Sequence, residues 1–81
     1  MEKRIGGILI LVEEKDQVNL LNQVISNHSS VIIGRQGIPL REKEISIISL
    51  VVEGTTDEIG SLSGQLGRLK GIKVRSVMAR E

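Results

Sequence analysis

The chain has 81 residues, too few for a second hydrophobic core, and we expect a single domain over residues 1–81. It has no cysteine, which excludes disulfides and thiolate metal sites, and no Phe, Tyr or Trp on which single-stranded nucleic acid could stack. Eleven basic and ten acidic residues give a net charge of +1, which is too balanced to predict binding to nucleic acid or to a membrane surface.

The first apolar run, residues 5–12, follows two basic residues and superficially resembles the start of a secretory signal. It is short, however, and it leads directly into the charged residues 13–16 without a small-residue cleavage site. It is also far shorter than a membrane span. We therefore interpret it as a buried strand, and we expect a cytoplasmic protein with no membrane partner.

A helical pattern follows over residues 16–29. Asp16 is placed to cap the first backbone N–H groups of this helix. Apolar side chains recur at helical spacing; they are Val18, Leu20, Leu21, Val24 and Ile25. The polar residues 27–30 end the helix, and residues 31–33 are predicted to form the next strand.

The segment 34–44 is rich in residues that favour turns. Gly34, Gly37 and Pro39, the only proline, predict a turn or an irregular strand. The charged residues that follow predict an exposed hairpin tip.

The second half of the chain repeats the order of the first. The apolar residues 45–52 lead into a helix over residues 55–70 and a strand at residues 72–74. Thr55 and Glu58 have the spacing of a capping box, and Gly71 is a typical helix stop. The apolar stripe of this helix is Ile59, Leu62, Leu66 and Leu69.

Two strand–helix–strand units in tandem predict an α+β, ferredoxin-like βαββαβ sandwich, with a four-stranded antiparallel sheet and two helices on one face. In such a sandwich the other sheet face meets water, and its strands should alternate apolar and polar residues. Residues 8–12 are apolar throughout, and residues 45–52 contain only two serines. We interpret the surplus as a self-association surface; the alternative is an exposed patch of strand-forming residues.

No constellation of residues suggests catalysis, and we expect no enzyme activity. His28 is the only histidine, so we expect no metal site and no cofactor, and we interpret it as a residue interacting with the end of its helix. Gly60, Gly64 and Gly67 form a second stripe on the last helix. Close packing on a neighbour, within or between subunits, is the simplest interpretation, and exposure of the backbone to a ligand is the alternative.

The candidate ligand-binding residues are Gly34, Arg35, Gln36, Gly37 and Arg41. The two glycines allow a turn with exposed N–H groups, and the two arginines add positive charge to the same rim. We expect a small anionic effector or an acidic protein segment there, although a hairpin turn with solvated arginines is also consistent with the pattern.

The same segment has the IGxxG pattern of the loop with which KH domains hold a nucleic-acid backbone. A KH domain continues from that loop into a helix, whereas this chain reaches its next strand after at most a turn and a half. A nucleic-acid-binding module that uses residues 34–37 is therefore the alternative function.

Three segments resemble a family of stand-alone ACT-like domains whose members are named as regulators of the iron-only hydrogenase system. They are residues 33–40 (IGRQGIPL), 45–59 (ISIISLVVEGTTDEI) and 66–77 (LGRLKGIKVRSV). The resemblance implies an ACT-like fold and a role in transcriptional control linked to hydrogenase maturation. It implies no defined ligand.

More distantly, the chain resembles the C-terminal sensor domain of nickel-responsive regulators, which is ACT-like and tetrameric. Only His28 matches one of the nickel ligands that this resemblance implies. The chain carries Glu13-Glu14 where ACT domains that bind amino acids have a Pro-Gly turn. We therefore expect a non-catalytic regulatory domain that forms a homodimer or homotetramer, responds to a ligand or partner, and does not itself contact DNA.

Overall fold

The computed structural model describes residues 2–79. Its four strands and two helices follow one another in the predicted order; they are β1 (Arg4–Val12), α1 (Val18–Asn27), β2 (Ile32–Leu40), β3 (Ile45–Gly54), α2 (Thr56–Gly67) and β4 (Ile72–Met78). The strands form one antiparallel sheet in the order β2-β3-β1-β4. The predicted ferredoxin-like βαββαβ fold is confirmed.

The hydrophobic core lies between the helices and one face of the sheet. Alternate residues of β1 (Ile8, Ile10, Val12) and β3 (Leu50, Val52) point into it. The helices contribute Leu21, Ile25, Ile59, Leu62 and Leu66, all of which are buried. Each element therefore buries one face, and the period of two in the strands decides which residues remain on the other side.

Helix α1 begins later than predicted. A 3-10 turn, Lys15–Gln17, precedes it, and Asp16 lies inside this turn instead of capping the helix. Leu21 and Ile25 are buried as expected, whereas Val18 and Leu20 are exposed. The apolar stripe of α1 is thus narrower than the sequence pattern indicates.

Strand β2 includes the glycines that favour turns. It pairs with β3 from Ile32 to Leu40, with an irregularity between Ile32 and Gly34, so the irregular strand is the correct alternative. The predicted hairpin tip is confirmed as a 3-10 turn, Arg41–Lys43, followed by Glu44 in the left-handed conformation at φ 55°.

The capping box of α2 is present as predicted. Thr55 Oγ1 accepts a hydrogen bond from the Glu58 N–H at 3.1 Å, and the Glu58 carboxylate accepts one from the Thr55 N–H at 2.8 Å. The helix ends at Gly67, three residues before the predicted end, because the chain tightens there and the Leu69 N–H bonds to Leu66 O. Gly71 then reverses the chain at φ +71°.

Candidate functional site

The face of the sheet opposite the helices is largely apolar, and we call it the uncovered face. Its apolar members come from all four strands; they are Ile5, Leu9, Leu11, Ile38, Leu40, Ile45, Ile47, Val51 and Val77. Leu9 and Val51 at the centre are 46% and 45% exposed, and Val77 at the edge is 71% exposed. These side chains are the apolar strand residues that the sequence predicts in excess of what one buried sheet face can hold.

The register of the strands divides this face into rows. Leu11 lies opposite Ile47, which lies opposite Ile38, so an apolar row crosses three strands and ends at Lys73 of β4. The next row is mixed, because Leu9 lies between Ser49 and Arg75. The face therefore has an apolar centre and a basic rim on the β4 side.

The candidate ligand-binding residues of β2 lie along an edge of the sheet. Gly34 and Gln36 lie on the uncovered face, opposite Val51 and Ser49 of β3. Arg35 points to the helix side, where its guanidinium donates a hydrogen bond to Asn22 Oδ1 at 3.0 Å. Consecutive residues of β2 thus point to opposite faces and do not form one cluster.

The prediction that Gly34 and Gly37 form an exposed turn is wrong in its geometry. Both residues lie in extended β2, and among residues 2–79 Gly71 is the glycine with positive φ. Arg41 lies in the hairpin tip, six residues from Arg35 and roughly 20 Å along the strand. The two arginines therefore do not meet at one rim, because the pairing of β2 with β3 keeps this segment extended.

His28 lies at the end of α1, as predicted. Its Nδ1 donates to Val24 O at 2.8 Å, which satisfies a carbonyl of the last helical turn. Its Nε2 lies 3.3 Å from Ser61 Oγ of α2, and Gln65 donates to the same oxygen at 3.1 Å. In the part of the chain that the structure describes, no three His, Asp or Glu side chains form a group that could hold a metal ion.

The glycines of α2 face open space on the side where a side chain would lie. A Cβ atom added at Gly60, Gly64 or Gly67 would meet nothing within 4 Å. Close packing within the subunit, one of the predicted explanations, is therefore wrong. Packing between subunits and exposure of the backbone to a ligand stay predictions for these three residues, each of which disfavours a helix.

The capping box fixes the charge at the start of α2. Hydrogen bonds from the Thr55 backbone N–H and then from its side chain lower the pKa of the Glu58 carboxyl. The carboxylate is therefore held in its ionised form at the positive end of the helix dipole.

The outer edge of β4 is a feature that the sequence analysis missed. Lys73 and Arg75 alternate along this strand with Val74 and Ser76, whose side chains point to the helix side. This alternation is visible in the sequence, but only the strand order places β4 at the edge of the sheet.

The helices among residues 2–79 are too short, or too polar, to cross a membrane. Among curated proteins, no sequence matches significantly.

Solved structures similar to this chain include protein TM1266 from Thermotoga maritima, with 36% identity and a TM-score of 0.93 over 98% of this chain and 100% of that one. The C-terminal domain of MgtC from Mycobacterium tuberculosis has a TM-score of 0.73 at 12% identity, over 94% and 87% of the two chains. CPII, a nitrogen regulatory PII-like protein from Thiomonas intermedia K12, has a TM-score of 0.52 at 9% identity, over 99% and 96%. The last two similarities concern the fold alone.

The family model described as "TM1266-like: Iron-only hydrogenase system regulator, putative" matches residues 4–76, nearly the whole chain. This match agrees with the similarity to the Thermotoga maritima protein in both sequence and structure. The chain belongs to the TM1266-like family of iron-only hydrogenase system regulators.

Proposed function

We propose that this chain is a non-catalytic, homo-oligomeric regulatory domain that takes part in transcriptional control linked to the iron-only hydrogenase system. The family match supports the regulatory role. The observation that carries the proposed assembly is the uncovered face, whose central side chains Leu9 and Val51 remain nearly half exposed. The location is part of the proposal: the domain acts in the cytoplasm, with residues 4–12 serving as strand β1.

The size of the uncovered face supports a second copy as its partner. Four strands about 4.8 Å apart give the face a width of about 19 Å, and the strands extend for about 27 Å, so its area is roughly 500 Å². Two such faces in contact would bury about 1,000 Å², the lower limit for a specific protein interface. Each aliphatic side chain would contribute about 1 kcal/mol as its remaining exposed half is buried, so a second copy is a sufficient partner.

An effector or an acidic partner segment that contacts β2 and the hairpin tip is the second part of this proposal. The partner described for Arg35 is the neutral amide of Asn22, and a guanidinium has five N–H donors, so the charge is not neutralised by that contact. Arg35→Ala is expected to weaken such binding by about 1.5–3 kcal/mol, as for loss of a charge-assisted hydrogen bond. Chemical-shift mapping with an identified effector tests this. Chemical shifts that change elsewhere but not at residues 34–41 would contradict it.

The alternative, nucleic-acid binding through residues 34–37, receives less support. These residues continue as strand β2 to Leu40, where a KH domain would have a helix. We therefore propose that another chain contacts the DNA. An affinity for RNA or DNA that falls steeply with salt would favour the alternative.

Sedimentation velocity at micromolar concentration tests the assembly. We expect a dimer or tetramer for the wild type. Leu9→Glu, on the uncovered face, should dissociate it, whereas Leu20→Glu should not. Leu20 is a matched control because it is 49% exposed, against 46% for Leu9, and lies on the outside of α1. A wild-type protein that sediments as a uniform 8.9 kDa monomer would refute the proposal.

A further inference from the structure

The backbone of β4 bonds to the sheet on one side only. The Ala79 N–H donates to Ile5 O at 2.7 Å, and at the other end of the strand Gly71 O accepts from the Glu13 N–H at 2.8 Å. In an antiparallel pair the N–H and C=O groups of alternate residues point in opposite directions. Those of Val74 and Ser76 therefore point away from β1, and within residues 2–79 no strand pairs with that side.

The two edges of the sheet differ in how they resist a further strand. Strand β2 has an irregular register next to Gly34, and it carries Pro39, which has no N–H to offer. Both features discourage pairing at an edge. Strand β4 has neither, and its register with β1 is regular from Met78 to Ile72. It is therefore the edge that is open to an added strand.

A groove runs beside this edge, between β4 and α2. Its β4 wall includes Val74, Ser76 and Met78, and its α2 wall includes Ser63 and the three glycines of the helix. A strand paired to Val74 and Ser76 would lie in this groove. Its side chains on the helix side would occupy the space that the missing side chains of α2 leave empty.

The rim of the groove is basic. Lys73 and Arg75 line it on the β4 side, where their side chains belong to the uncovered face, and both are exposed. Lys73 makes an exposed ion pair with Glu13 at 3.6 Å, which is too weak to hold it firmly. Arg75 donates to Val74 O at 3.2 Å, so it covers one of the outward-facing carbonyls with a contact that can be exchanged.

This charge argues against a second copy of the chain at the same edge. Antiparallel pairing of two β4 strands about Arg75 would place Arg75 opposite Arg75, and pairing about Val74 would place Lys73 opposite Arg75. Pairing about Ser76 would place Arg75 opposite Val77, which offers the arginine no opposite charge. Like charges directly opposite each other destabilise a strand pair. An acidic strand would instead meet opposite charges at both positions.

We propose that the outer edge of β4 is a docking site for an extended acidic segment of a partner protein, which adds to the sheet as a fifth strand. Its backbone bonds to Val74 and Ser76, its alternate carboxylates pair with Lys73 and Arg75, and its other side chains, small and apolar, fill the groove beside the α2 glycines. Main-chain bonds supply affinity and the alternating side chains supply specificity in this mode of recognition. The site shares Lys73 and Arg75 with the rim of the uncovered face, and it is separate from the candidate residues on β2.

The probe is an acetylated and amidated peptide of seven residues, the length of β4, in which glutamate and valine alternate. We expect saturable binding that weakens with salt, together with chemical-shift changes and slowed hydrogen exchange at the Val74 and Ser76 amides. A peptide with lysine in place of glutamate should not bind. The absence of binding up to about 1 mM peptide, or shift changes centred on β2, would overturn the proposal.

Two variants test the geometry. Ser76→Pro removes the outward N–H without removing a bond to β1, and it should lower the peptide affinity at least about tenfold relative to Ser76→Ala. Gly64→Val fills the groove from the α2 side and should lower the peptide affinity by a similar factor. The fold should persist because a Cβ at Gly64 meets nothing within 4 Å. Equal affinities for Ser76→Pro and Ser76→Ala would refute the proposed strand addition.

Sedimentation of the same samples separates this inference from the proposed function. Ser76→Pro should lose the peptide and keep the oligomer. Val51→Glu, on the uncovered face between β1 and β2 and away from β4, should lose the oligomer and keep the peptide. Each proposal therefore fails on a different measurement.

Discussion

His28 and Ser61 connect the two helices through a hydrogen bond of 3.3 Å between the imidazole Nε2 and the serine Oγ. The carbonyl of Val24 only accepts hydrogen bonds, so the imidazole carries a proton on Nδ1. In the neutral ring Nε2 then accepts from the Ser61 hydroxyl. Nε2 thus links α1 to α2, whereas Nδ1 fixes the ring against the end of its own helix.

The structural role of His28 predicts the behaviour of His28→Ala. Loss of the two hydrogen bonds should lower the free energy of unfolding by about 1 kcal/mol, and the oligomer should persist because His28 lies away from the uncovered face. We also expect that the wild type does not bind nickel tightly. Calorimetry with Ser29→Ala as the control checks this, and a submicromolar nickel affinity that His28→Ala abolishes would contradict it.

Gly54 is predicted to resist substitution because of a close approach. A Cβ atom at this buried position would overlap the Val31 side chain and lie 3.1 Å from Glu58 Oε1. Gly54→Ala should therefore lower the free energy of unfolding by about 1–3 kcal/mol. Gly37→Ala is the control, since a Cβ there meets nothing within 4 Å. Chemical denaturation measures both, and equal stability of the two variants would show that the end of β3 adjusts freely.

Thr55 is predicted to matter more than its neighbour. Thr55→Ala removes the side chain that caps α2 and should cost about 1 kcal/mol of stability. Thr56→Ala replaces the first helical residue with a better helix former and should be neutral or slightly stabilising. The thermal midpoint of Thr55→Ala should therefore fall, and that of Thr56→Ala should stay or rise slightly. An equal decrease in both variants would mean that the Thr55 cap does not stabilise the start of α2.

The capping box also predicts a dependence on pH. The pKa of Glu58 is lowered in the folded chain by its hydrogen bonds to Thr55, so folding favours the ionised carboxylate. This contribution is fully present above the ordinary glutamate pKa of about 4.3 and is lost as pH falls through the lower folded pKa.

Denaturation at neutral and acid pH checks this dependence. Glu58→Gln should lose less stability on acidification than the wild type. Glu42→Gln, at the hairpin tip, removes one charge without touching the cap and should follow the wild type. If acidification lowers the free energy of unfolding of all three proteins equally, the cap does not contribute to the acid sensitivity.

Residues that interact with near neighbours in the sequence predicted the start of α2 and the turn after it correctly. Thr55, Glu58 and Gly71 act within a few residues of themselves, and the structure confirms each of them. The continuous apolar strands also predicted the exposed apolar side chains of the uncovered face. Successive strand residues point to opposite faces whatever the rest of the fold, so an apolar run must place some of its side chains on each face.

Signals that depend on distant partners were less reliable. Gly34 and Gly37 favour a turn by themselves, but pairing with β3 supplies hydrogen bonds that hold them extended. Arg35 and Arg41 looked like one cluster because they are near in sequence, and the extended strand separates them. Asp16 has the chemistry of a cap, yet the chain tightens into a 3-10 turn before α1 begins.

The strand order has a consequence for the nascent chain. Strand β1 is made first, but both of its neighbours, β3 and β4, are made later. At a synthesis rate of about 5–20 residues per second, the interval from Val12 to the end of β4 at Met78 is roughly 3–13 seconds. Until β3 is complete at Gly54 the most apolar segment of the protein has no strand to pair with, and its other edge stays open until β4 is made. Newly made chains therefore depend on transient cover of β1, from a chaperone or from their own first helix.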